Sequence, residues 1–505
     1  MSSPHDTYTS PLAQRNASPE MLRLWSPRYK FNTWRRIWLA AARAQLELGL
    51  PVSREQVEHL RAVVERGITD EEILAAGRYE RELRHDVMAH VHALGDACPA
   101  ARAILHLGMT SQDVNDNAET IILERAMGLI AAKVARVVLA LADRAERWKA
   151  TPTLAFTHYQ PAQPTTVGRR CAGWAYELWL SETALVRTRD MLKGRGLRGA
   201  TGTQASYLAL CDGDPARVDE LERRFCDALA GQFAGEKPRV DAFGALHDLV
   251  GQTYPRVVDA DVLAGLASIA AVLHKTATDI RLLCNRKELD EPFEDTQIGS
   301  SAMPYKRNPM RCERVCGLSR FVMNLVGNAY DTAATQWLER TLDDSSNRRL
   351  SLPEAFLALD GALDLMHNVA SGLVVHEATV RANLMAELPF MATENILMEC
   401  VKLGGDRQAY HEAIRVHAQA AGLRVKQQGQ SNDLLERLRS DRAFWGHARG
   451  GPLSAELVWD HLLDPMKYIG RAVEQTERFL RAVVQPLRDG YAGQLQTLGD
   501  SSPRV

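Results

Sequence analysis

The segment IILERAMGLIAAKVARVVLALADRAERWKA, residues 121–150, decides the fold. It contains no proline, and its apolar residues recur at intervals of three and four, which is the spacing of one face of an α-helix. Four similar stretches follow at 166–192, 257–289, 309–338 and 353–375. Strand-like alternation bounded by turns is nearly absent. The pattern predicts an all-α protein built around an extended bundle of long helices.

The length of the chain predicts more than one domain. A chain of 505 residues is too long for one ordinary hydrophobic core. We predict an N-terminal helical domain at 1–110, a central long-helix bundle at 111–375 and a C-terminal helical domain at 376–505. Helices longer than the average of about 11–12 residues usually bury a second face against a partner subunit. The last stretch, 490–505, is predicted to fray.

Composition and charge exclude several classes of protein. A formal net charge of −2 gives no basic field for nucleic acid. The polar N-terminus lacks the apolar core of a signal peptide, and no uninterrupted apolar run approaches the ~20 residues that span a bilayer. The eight cysteines form no CxxC pair, which favours reduced thiols and a cytoplasmic location. Cys312 and Cys316 share a helix face, but without a second pair they predict no metal site.

Three loops are predicted to interrupt the helices, at 106–117, 194–206 and 291–309. The third loop has the strongest signal, in the string GSSAMPYKRNP at 299–309. Glycine and proline shape a loop just before a helix, and two hydroxyls and a lysine lie close together. Backbone N–H groups at a helix start favour an anion. For a lone GSS, an ordinary capped loop would be the better interpretation.

The complete string resembles the signature of the fumarase/aspartase superfamily. Thr110-Ser111-x-Asp113 and FTHYQPAQ at 156–163 resemble two further signature segments. Within the superfamily the chain is most similar to the animal-type lyases that act on succinylated purine nucleotides. Supporting strings are SPLAxR, RHDVMAHVH, TGTQAS, GQTY, RTLDDSSNRR and ELPFMATENI, and the resemblance covers roughly residues 8 to 480. It implies an all-α lyase that releases fumarate without a cofactor, as a homotetramer with active sites shared between subunits.

The resemblance assigns catalytic roles to individual residues. Elimination of fumarate removes a weakly acidic proton beside a carboxylate, so the developing charge must be stabilised. Ser300 would be the base, and Lys306 and Asn308 would hold that carboxylate. His158 would protonate the departing nitrogen, because an amine anion is a poor leaving group. Glu313 matches the family glutamate that orients the histidine. A buried core histidine is the alternative for His158.

The implied substrate carries a phosphate and two carboxylates, so it needs fixed cations. Arginine forks match phosphate geometry. By resemblance, the phosphate is held by Arg15, Arg340, Ser345 and Arg349. The rest of the substrate would contact Arg84, His85, Asp86, Thr110, Ser111, Thr157, Gln252 and Arg314, with His85 also assisting catalysis. For the arginines near 340–349, surface ion pairs with Asp343 and Asp344 are the alternative.

One substrate contact departs from the family pattern. The family usually has Arg-Tyr where this chain has Arg15-Asn16. Asparagine can still form hydrogen bonds, but it neither stacks nor reaches as tyrosine does. The contact implied for Asn16 therefore differs in kind from that of the family.

Two further patterns predict no cofactor site. GRGLRG at the start of the loop 194–206 is a literal GxGxxG, but it follows a helical stretch rather than a strand, so a dinucleotide site is not predicted. Its glycines are expected to allow close approach to substrate or to a neighbouring subunit. His85, His90 and His92 do not share a helix face at these spacings, so they predict no metal.

Two rival functions stay open at this point. The first is another lyase of the superfamily, such as one acting on argininosuccinate, which the phosphate-binding arginines argue against. The second is a non-enzymatic protein that kept the fold. The presence of all the implied catalytic residues argues against that alternative, and these are Ser300, Lys306, His158 and Glu313. The resemblance implies two substrates, adenylosuccinate and succinylated aminoimidazole carboxamide ribotide.

Overall fold

The computed structural model describes residues 6–236, 241–294, 297–446 and 459–503. Within these ranges the regular secondary structure is helical except for two small antiparallel sheets of two strands each. The prediction of an all-α fold is therefore confirmed.

The N-terminal region packs five helices beside the bundle. A π-helical turn at Leu12–Asn16 precedes them. The helices are α1 (Pro19–Leu24), α2 (Pro27–Glu47), α3 (Arg54–Arg66), α4 (Asp70–Leu83) and α5 (Asp86–Ala97). A 3-10 turn at Pro99–Ile104 leads from α5 towards the bundle.

The central region contains five long helices of 37, 24, 29, 25 and 30 residues. In the list that follows, these five helices are labelled α6, α7, α10, α11 and α12. In chain order the elements are α6 (Ser111–Arg147), β1 (Pro152–Thr157), β2 (Gln160–Thr166), α7 (Val167–Asp190), α8 (Ala205–Leu210), α9 (Pro215–Gln232), α10 (Val257–Asn285), β3 (Leu289–Asp290), α11 (Met310–Ala334), α12 (Asp343–Gly372) and β4 (Val374–Val375).

The C-terminal region has its own small core and then returns to the bundle. Its helices are α13 (Glu377–Met391), α14 (Thr393–Lys402), α15 (Arg407–Gln428), α16 (Leu434–Ser440), α17 (Arg442–Gly446), α18 (Trp459–Leu462), α19 (Ala472–Phe479) and α20 (Gln485–Leu495). Tyr410 and Phe444 are at the centre of the separate core. Val484 packs against Leu139 and Ala142 of α6. The domain limits at 110 and 375 stay a prediction.

The long helices give the bundle two distinct ends. α6 and α12 run parallel, since Lys133 of α6 contacts Asp360 of α12 at 2.6 Å and Arg144 contacts the carbonyl of Ala370 at 3.1 Å. α6, α10 and α12 begin at the same end, which we call the braced end. At the opposite, open end α10 finishes and α11 begins. The β1–β2 hairpin lies there too, because Arg286 covers the Phe156 ring at 4.7 Å.

Two helix starts differ from the sequence prediction. α6 begins at Ser111, so 111–117 is helical and not part of a loop. The Asp113 carboxylate accepts the Thr110 backbone N–H at 2.8 Å, as in a capping box, which explains the early start. α12 begins at Asp343 and contains Pro353 in its interior. Pro353 removes one helical hydrogen bond, but packing of the bundle on both sides of it maintains the helix.

Two other features differ from the sequence prediction. The β1–β2 hairpin was not predicted, and its second strand contains Pro161 and Pro164. The C-terminal stretch does not fray within the described residues, because it contains α20 and then packs on the bundle. The carbonyl of Gly499 accepts a hydrogen bond from Arg136 at 2.8 Å, and Ser501 contacts His367 at 2.6 Å.

One helix among the described residues is long and apolar enough to cross a membrane by length and composition, namely α10 with a mean hydropathy of 1.7 over its most apolar window. Polar residues are scattered through this helix, so its sequence contains no uninterrupted apolar run of that length. α10 packs against α7, α11 and α12 in the bundle. Core helices of bundles commonly have this composition.

Candidate active site

Three of the four predicted phosphate-binding residues line one cavity at the braced end. Arg340, Ser345 and Arg349 lie around it, together with Gln112 of α6. Ser345 and Arg349 are on the first two turns of α12, and Arg340 is on the turn before it. The structure therefore brings this part of the predicted site together within one chain.

Ion pairs hold the arginines of this cavity in place. Arg340 pairs with Asp344 at 3.1 Å. Asp344 is buried, so the surface ion pair considered from sequence is in fact an internal one. Burial lowers the pKa of Arg340, and Asp344 opposes that shift. Arg256 donates to the same carboxylate at 2.8 Å. The guanidinium groups are therefore fixed before any ligand arrives.

The Arg84-His85-Asp86 cluster contacts the braced end of the bundle through the Asp86 side chain. Its carboxylate accepts a hydrogen bond from Arg349 at 2.7 Å. Burial opposes ionisation of Asp86, but Arg349, the Val87 N–H and the Lys30 charge together outweigh it, so the pKa of Asp86 is lowered. His85 caps α5, with its Nδ1 accepting the Met88 N–H at 3.2 Å. Arg84 ends α4 in the left-handed conformation, with φ of 54°, and is exposed.

Thr110 and Ser111 stand at the start of α6 and so belong to the braced end. Gln252 lies nearby, because its N–H donates to the carbonyl of Glu339 at 3.0 Å. Asp113, one turn into α6, accepts the N–H groups of Arg198 and Gly199 at 2.9 and 3.2 Å. The glycine-rich loop is thereby tied to the motif residues of α6.

The glycines of the GxGxxG string approach their own chain. A Cβ at Gly196 would lie 2.3 Å from the Glu222 carboxylate, and one at Gly194 would lie 2.6 Å from the Phe243 ring. The glycine pattern predicted close approach to substrate or to another subunit. The structure instead uses these glycines for internal packing.

His158 and Thr157 lie at the tip of the β1–β2 hairpin at the open end. His158 and Tyr159 form the turn, with φ of 53° and 57°. Two successive positive φ values are usual for Asn-Gly and are costly for bulkier residues. His158 is exposed, which contradicts the alternative of a buried core histidine.

Ser300 lies in the loop between β3 and α11, also at the open end. Its Oγ accepts N–H groups from Ala302 and Met303 at 3.4 and 3.1 Å. Asn308 donates to the carbonyl of Gly299 at 2.8 Å and so closes the loop on itself. Lys306 is exposed on the same loop. Hydrogen bonds to Oγ favour its ionised form.

Glu313 and Arg314 begin α11 but have different neighbours. Glu313 is 3.9 Å from Arg281, and its side chain is 52% exposed. Arg314 donates to the Asn16 side chain at 3.2 Å and to the carbonyl of Arg15 at 3.4 Å. Burial, followed by the charges of Arg15 and Arg311, lowers the pKa of Arg314.

Arg15 is not part of the braced-end cavity of its own chain. The backbone of Asn16 packs on Gly361, where an added Cβ would lie 2.8 Å from the Asn16 carbonyl. The distance along α12 from Arg349 to Gly361 is about 18 Å. Arg15 and Asn16 therefore form a separate group with Arg314.

The two ends are too far apart for one chain to combine them. α6 spans about 55 Å between Thr110 and Trp148. The hairpin arm that carries His158 extends only about 20 Å. Within one chain, His158 and Thr110 therefore cannot contact the same small molecule.

Sequence reasoning missed several residues of the braced-end cavity. Lys30 of α2 and Gln112 and Asn115 of α6 line it beside the predicted arginines. Gln112 and Asn115 lie next to the Thr-Ser motif, so helical spacing could have indicated them. Nothing in the sequence around Lys30 connects it to residues more than 300 positions away.

Histidine, cysteine and carboxylate side chains do not cluster as metal ligands anywhere in the described ranges. His90, one of the three histidines considered from sequence, is buried and its ring centroid lies 3.8 Å from that of Phe31. Burial lowers the pKa of His90 to about 4. His90 is a core residue.

Two family models match the chain. A lyase family matches residues 13–324, and the family described as adenylosuccinate lyase C-terminus matches residues 389–479. The adenylosuccinate lyase of Schizosaccharomyces pombe is 49% identical over 477 residues, which cover 94% of each chain. That of Saccharomyces cerevisiae is 48% identical, covering 94% of this chain and 95% of its own.

Solved structures agree on the fold. The 3-carboxy-cis,cis-muconate lactonizing enzyme of Pseudomonas putida aligns with a TM-score of 0.77 and 25% identity, over 94% of this chain and 99% of its own. A fumarate lyase from Mesorhizobium sp. BNC1 aligns with a TM-score of 0.75 and 23% identity, over 94% and 99% respectively. At 23% identity, the similarity to the fumarate lyase shows only that the fold is shared.

Proposed function

The chain belongs to the adenylosuccinate lyases of the fumarase/aspartase superfamily and is a lyase, and on that premise we propose its substrates, its catalytic residues and its assembly. The substrates are adenylosuccinate, which yields AMP, and succinylaminoimidazole carboxamide ribotide, which yields the free carboxamide ribotide. Both reactions release fumarate and serve purine nucleotide synthesis in the cytoplasm. The braced-end cavity of Arg340, Ser345 and Arg349 carries the proposal, since it offers fixed cations to a phosphate.

Ser300 takes the proton from the succinyl carbon beside the carboxylate. The N–H groups of Ala302 and Met303 at its Oγ support this role, because they stabilise an alkoxide. The electron pair of the broken C–H bond forms the double bond of fumarate, and the C–N bond breaks. Lys306 and Asn308 hold the carboxylate on which negative charge accumulates.

His158 gives a proton to the nitrogen as the C–N bond breaks. Its exposed position on a turn with two positive φ values supports this role, because such strain is found where a side chain must be presented. Glu313 orients the imidazole, and His85 assists from the braced end. Ser300 takes one proton from the substrate and His158 gives one proton to the product, so the overall reaction has no net change in protons.

The active sites are shared between subunits of a homotetramer. The separation of Thr110 from His158 by the length of α6 supports this arrangement, because one chain cannot supply both. Large exposed apolar side chains support it as well. On α11, α12 and the connection between them, these are Phe321, Tyr330, Trp337, Leu338, Leu342 and Leu350, and Leu338 is 95% exposed. Patches of this kind mark protein interfaces.

An absorbance assay with purified protein tests the proposal. Adenylosuccinate should be consumed with formation of AMP and fumarate, and argininosuccinate should not react. Activity should survive EDTA and exhaustive dialysis, because no step uses a metal or a cofactor. Turnover of argininosuccinate alone, or activity that chelation removes and zinc or magnesium restores, would contradict the proposal.

A further inference from the structure

We propose that Lys30 binds the phosphate end of the substrate, as a fourth ligand beside Arg340, Ser345 and Arg349. This inference rests on the function proposed above and adds a residue that neither the sequence motifs nor the family resemblance assigned. Lys30 lies at the end of the first turn of α2 and lines the same cavity as the other three.

The four arginines of this cavity already have carboxylate partners. Arg340 pairs with Asp344, and Arg349 pairs with Asp86. The remaining pairs are Arg256 with Asp116 and Asp344, and Arg348 with Glu119 and Asp259. Much of the positive charge around the cavity is therefore already neutralised by the protein itself.

Lys30 differs from these arginines. In the part of the chain that the structure describes, no carboxylate lies within ion-pairing distance of its ammonium group. The Nζ atom instead lies 4.9 Å from the centre of the Trp34 ring. Its side chain is half-buried. An ammonium held against an aromatic ring in a partly dry cavity still has hydrogen-bonding capacity for an anion.

Burial and one neighbouring cation act against the charged form of Lys30. Burial lowers the pKa of Lys30, and the nearby Arg349 charge acts in the same direction, whereas the carboxylates of Glu119, Asp86 and Glu80 oppose them from beyond ion-pairing distance. A dianionic phosphate between Lys30, Arg340 and Arg349 would relieve this repulsion. The gain is largest for the ligand with the most negative charge, so Lys30 should discriminate for phosphorylated over unphosphorylated compounds.

The test compares the two products, because AMP carries the phosphate and fumarate does not. For Lys30→Met, the inhibition constant of AMP and the KM of adenylosuccinate should rise about tenfold to a hundredfold, as expected for a lost charge-assisted hydrogen bond. The inhibition constant of fumarate and kcat should stay within about twofold. Lys30→Arg should restore most of the AMP affinity.

Lys275→Met is the matched control, because Lys275 is half-exposed and pairs with Asp279 at 3.0 Å on α10. It should leave both inhibition constants unchanged. If Lys30→Met unfolds, Lys30→Gln keeps a polar end and takes its place. AMP and fumarate constants that rise together, or an AMP constant that stays the same, would overturn the inference.

Failure of the proposed function would look different. Calorimetric binding of AMP needs no turnover. A wild-type protein that binds AMP but leaves adenylosuccinate intact would contradict the proposed function alone. A wild-type protein that is active, with Lys30→Met binding AMP equally well, would contradict the role of Lys30 alone.

Discussion

The two ends of the bundle hold their functional side chains in different ways. At the braced end, carboxylates from other elements fix the arginines, as when Asp86 of α5 accepts from Arg349 of α12. At the open end, the hydrogen bonds to Ser300 come from backbone two and three residues further along its own loop. His158 stands exposed on a hairpin turn.

This difference matches the chemistry that we propose for each end. A binding group works best when it is rigid before the ligand arrives, because its ordering entropy has then been lost on folding. The reacting groups of the open end would become enclosed only when another subunit covers them. The comparison therefore predicts that substitutions at the open end change turnover, whereas substitutions at the braced end change affinity and stability.

Ser300→Ala should have the largest effect on turnover. Loss of a general base lowers kcat by about 10²–10⁴-fold. The melting temperature should not change, because the contacts of the Ser300 side chain are local to its loop. Steady-state kinetics and thermal unfolding measure the two effects. Ser301→Ala is the control on the neighbouring exposed serine, and a loss of activity there but not in Ser300→Ala would move the base to Ser301.

Mixing two inactive variants should restore activity if each shared site takes His158 and Ser300 from different subunits, although both residues lie at the open end of one chain. His158→Gln and Ser300→Ala proteins would be combined under conditions that let subunits exchange. A site that takes these two residues from different chains receives both intact in roughly a quarter of cases in an equal mixture of tetramers. Activity should therefore rise from background to roughly that fraction of wild type.

The same mixture separates the shared site from the alternative. If both residues came from one chain, every mixed site would keep a defect and activity would stay at background. Native mass spectrometry shows whether exchange has occurred. Proven exchange without recovered activity would contradict the supply of His158 and Ser300 by different chains, and would leave the sharing of braced-end and open-end residues untouched.

Asp113→Ala should mainly reduce stability, in contrast to Ser300→Ala. Asp113 is fully buried, pairs with Arg195 and accepts the Tyr207 hydroxyl at 3.1 Å. Removing one partner of a buried ion pair costs about 3–5 kcal/mol. Urea unfolding should show this loss in the free energy of unfolding. A change below about 1 kcal/mol would mean that Arg195 finds another partner, and the braced end would be less rigid than its contacts indicate.

The sequence predicted the braced end and the open end unequally well. Helical periodicity located the long helices to within a few residues, except at the starts of α6 and α12, where a capping box at Ser111 and a proline inside the helix at Pro353 misled it. The Thr110–Asp113 capping box could have been recognised from the motif itself. The hairpin under His158 could not, because Pro161 and Pro164 break the usual strand pattern and tertiary packing on α13 sustains it.

Two features of the site depended on three-dimensional structure. Motif resemblance grouped Arg15 with Arg340, Ser345 and Arg349, but it does not say which chain supplies each residue. Only the packing of Asn16 on Gly361 separates Arg15 from the others within a chain. Lys30 has no motif, since its place in the cavity follows from how α2 crosses the start of α6.

Asn16→Tyr should have the smallest effect, and it examines the one family contact that differs in this chain. The Asn16 side chain accepts from Arg314 at 3.2 Å and donates to the carbonyl of Pro11 at 3.0 Å. A tyrosine would give up these amide contacts but could bring a hydroxyl to the phosphate end of the substrate. We expect the KM of adenylosuccinate to fall several-fold, equivalent to about 1 kcal/mol, with kcat nearly unchanged.

Asn16→Ala is the control, because it removes the amide without adding a ring, and it should raise the KM of adenylosuccinate or leave it unchanged. An unchanged or higher KM in Asn16→Tyr would mean that the turn Leu12–Asn16 is adapted to asparagine through Arg314. In that case the tail residues Ser501, Ser502 and Pro503, which line the same cavity as Asn16, would be the reason that a ring does not fit.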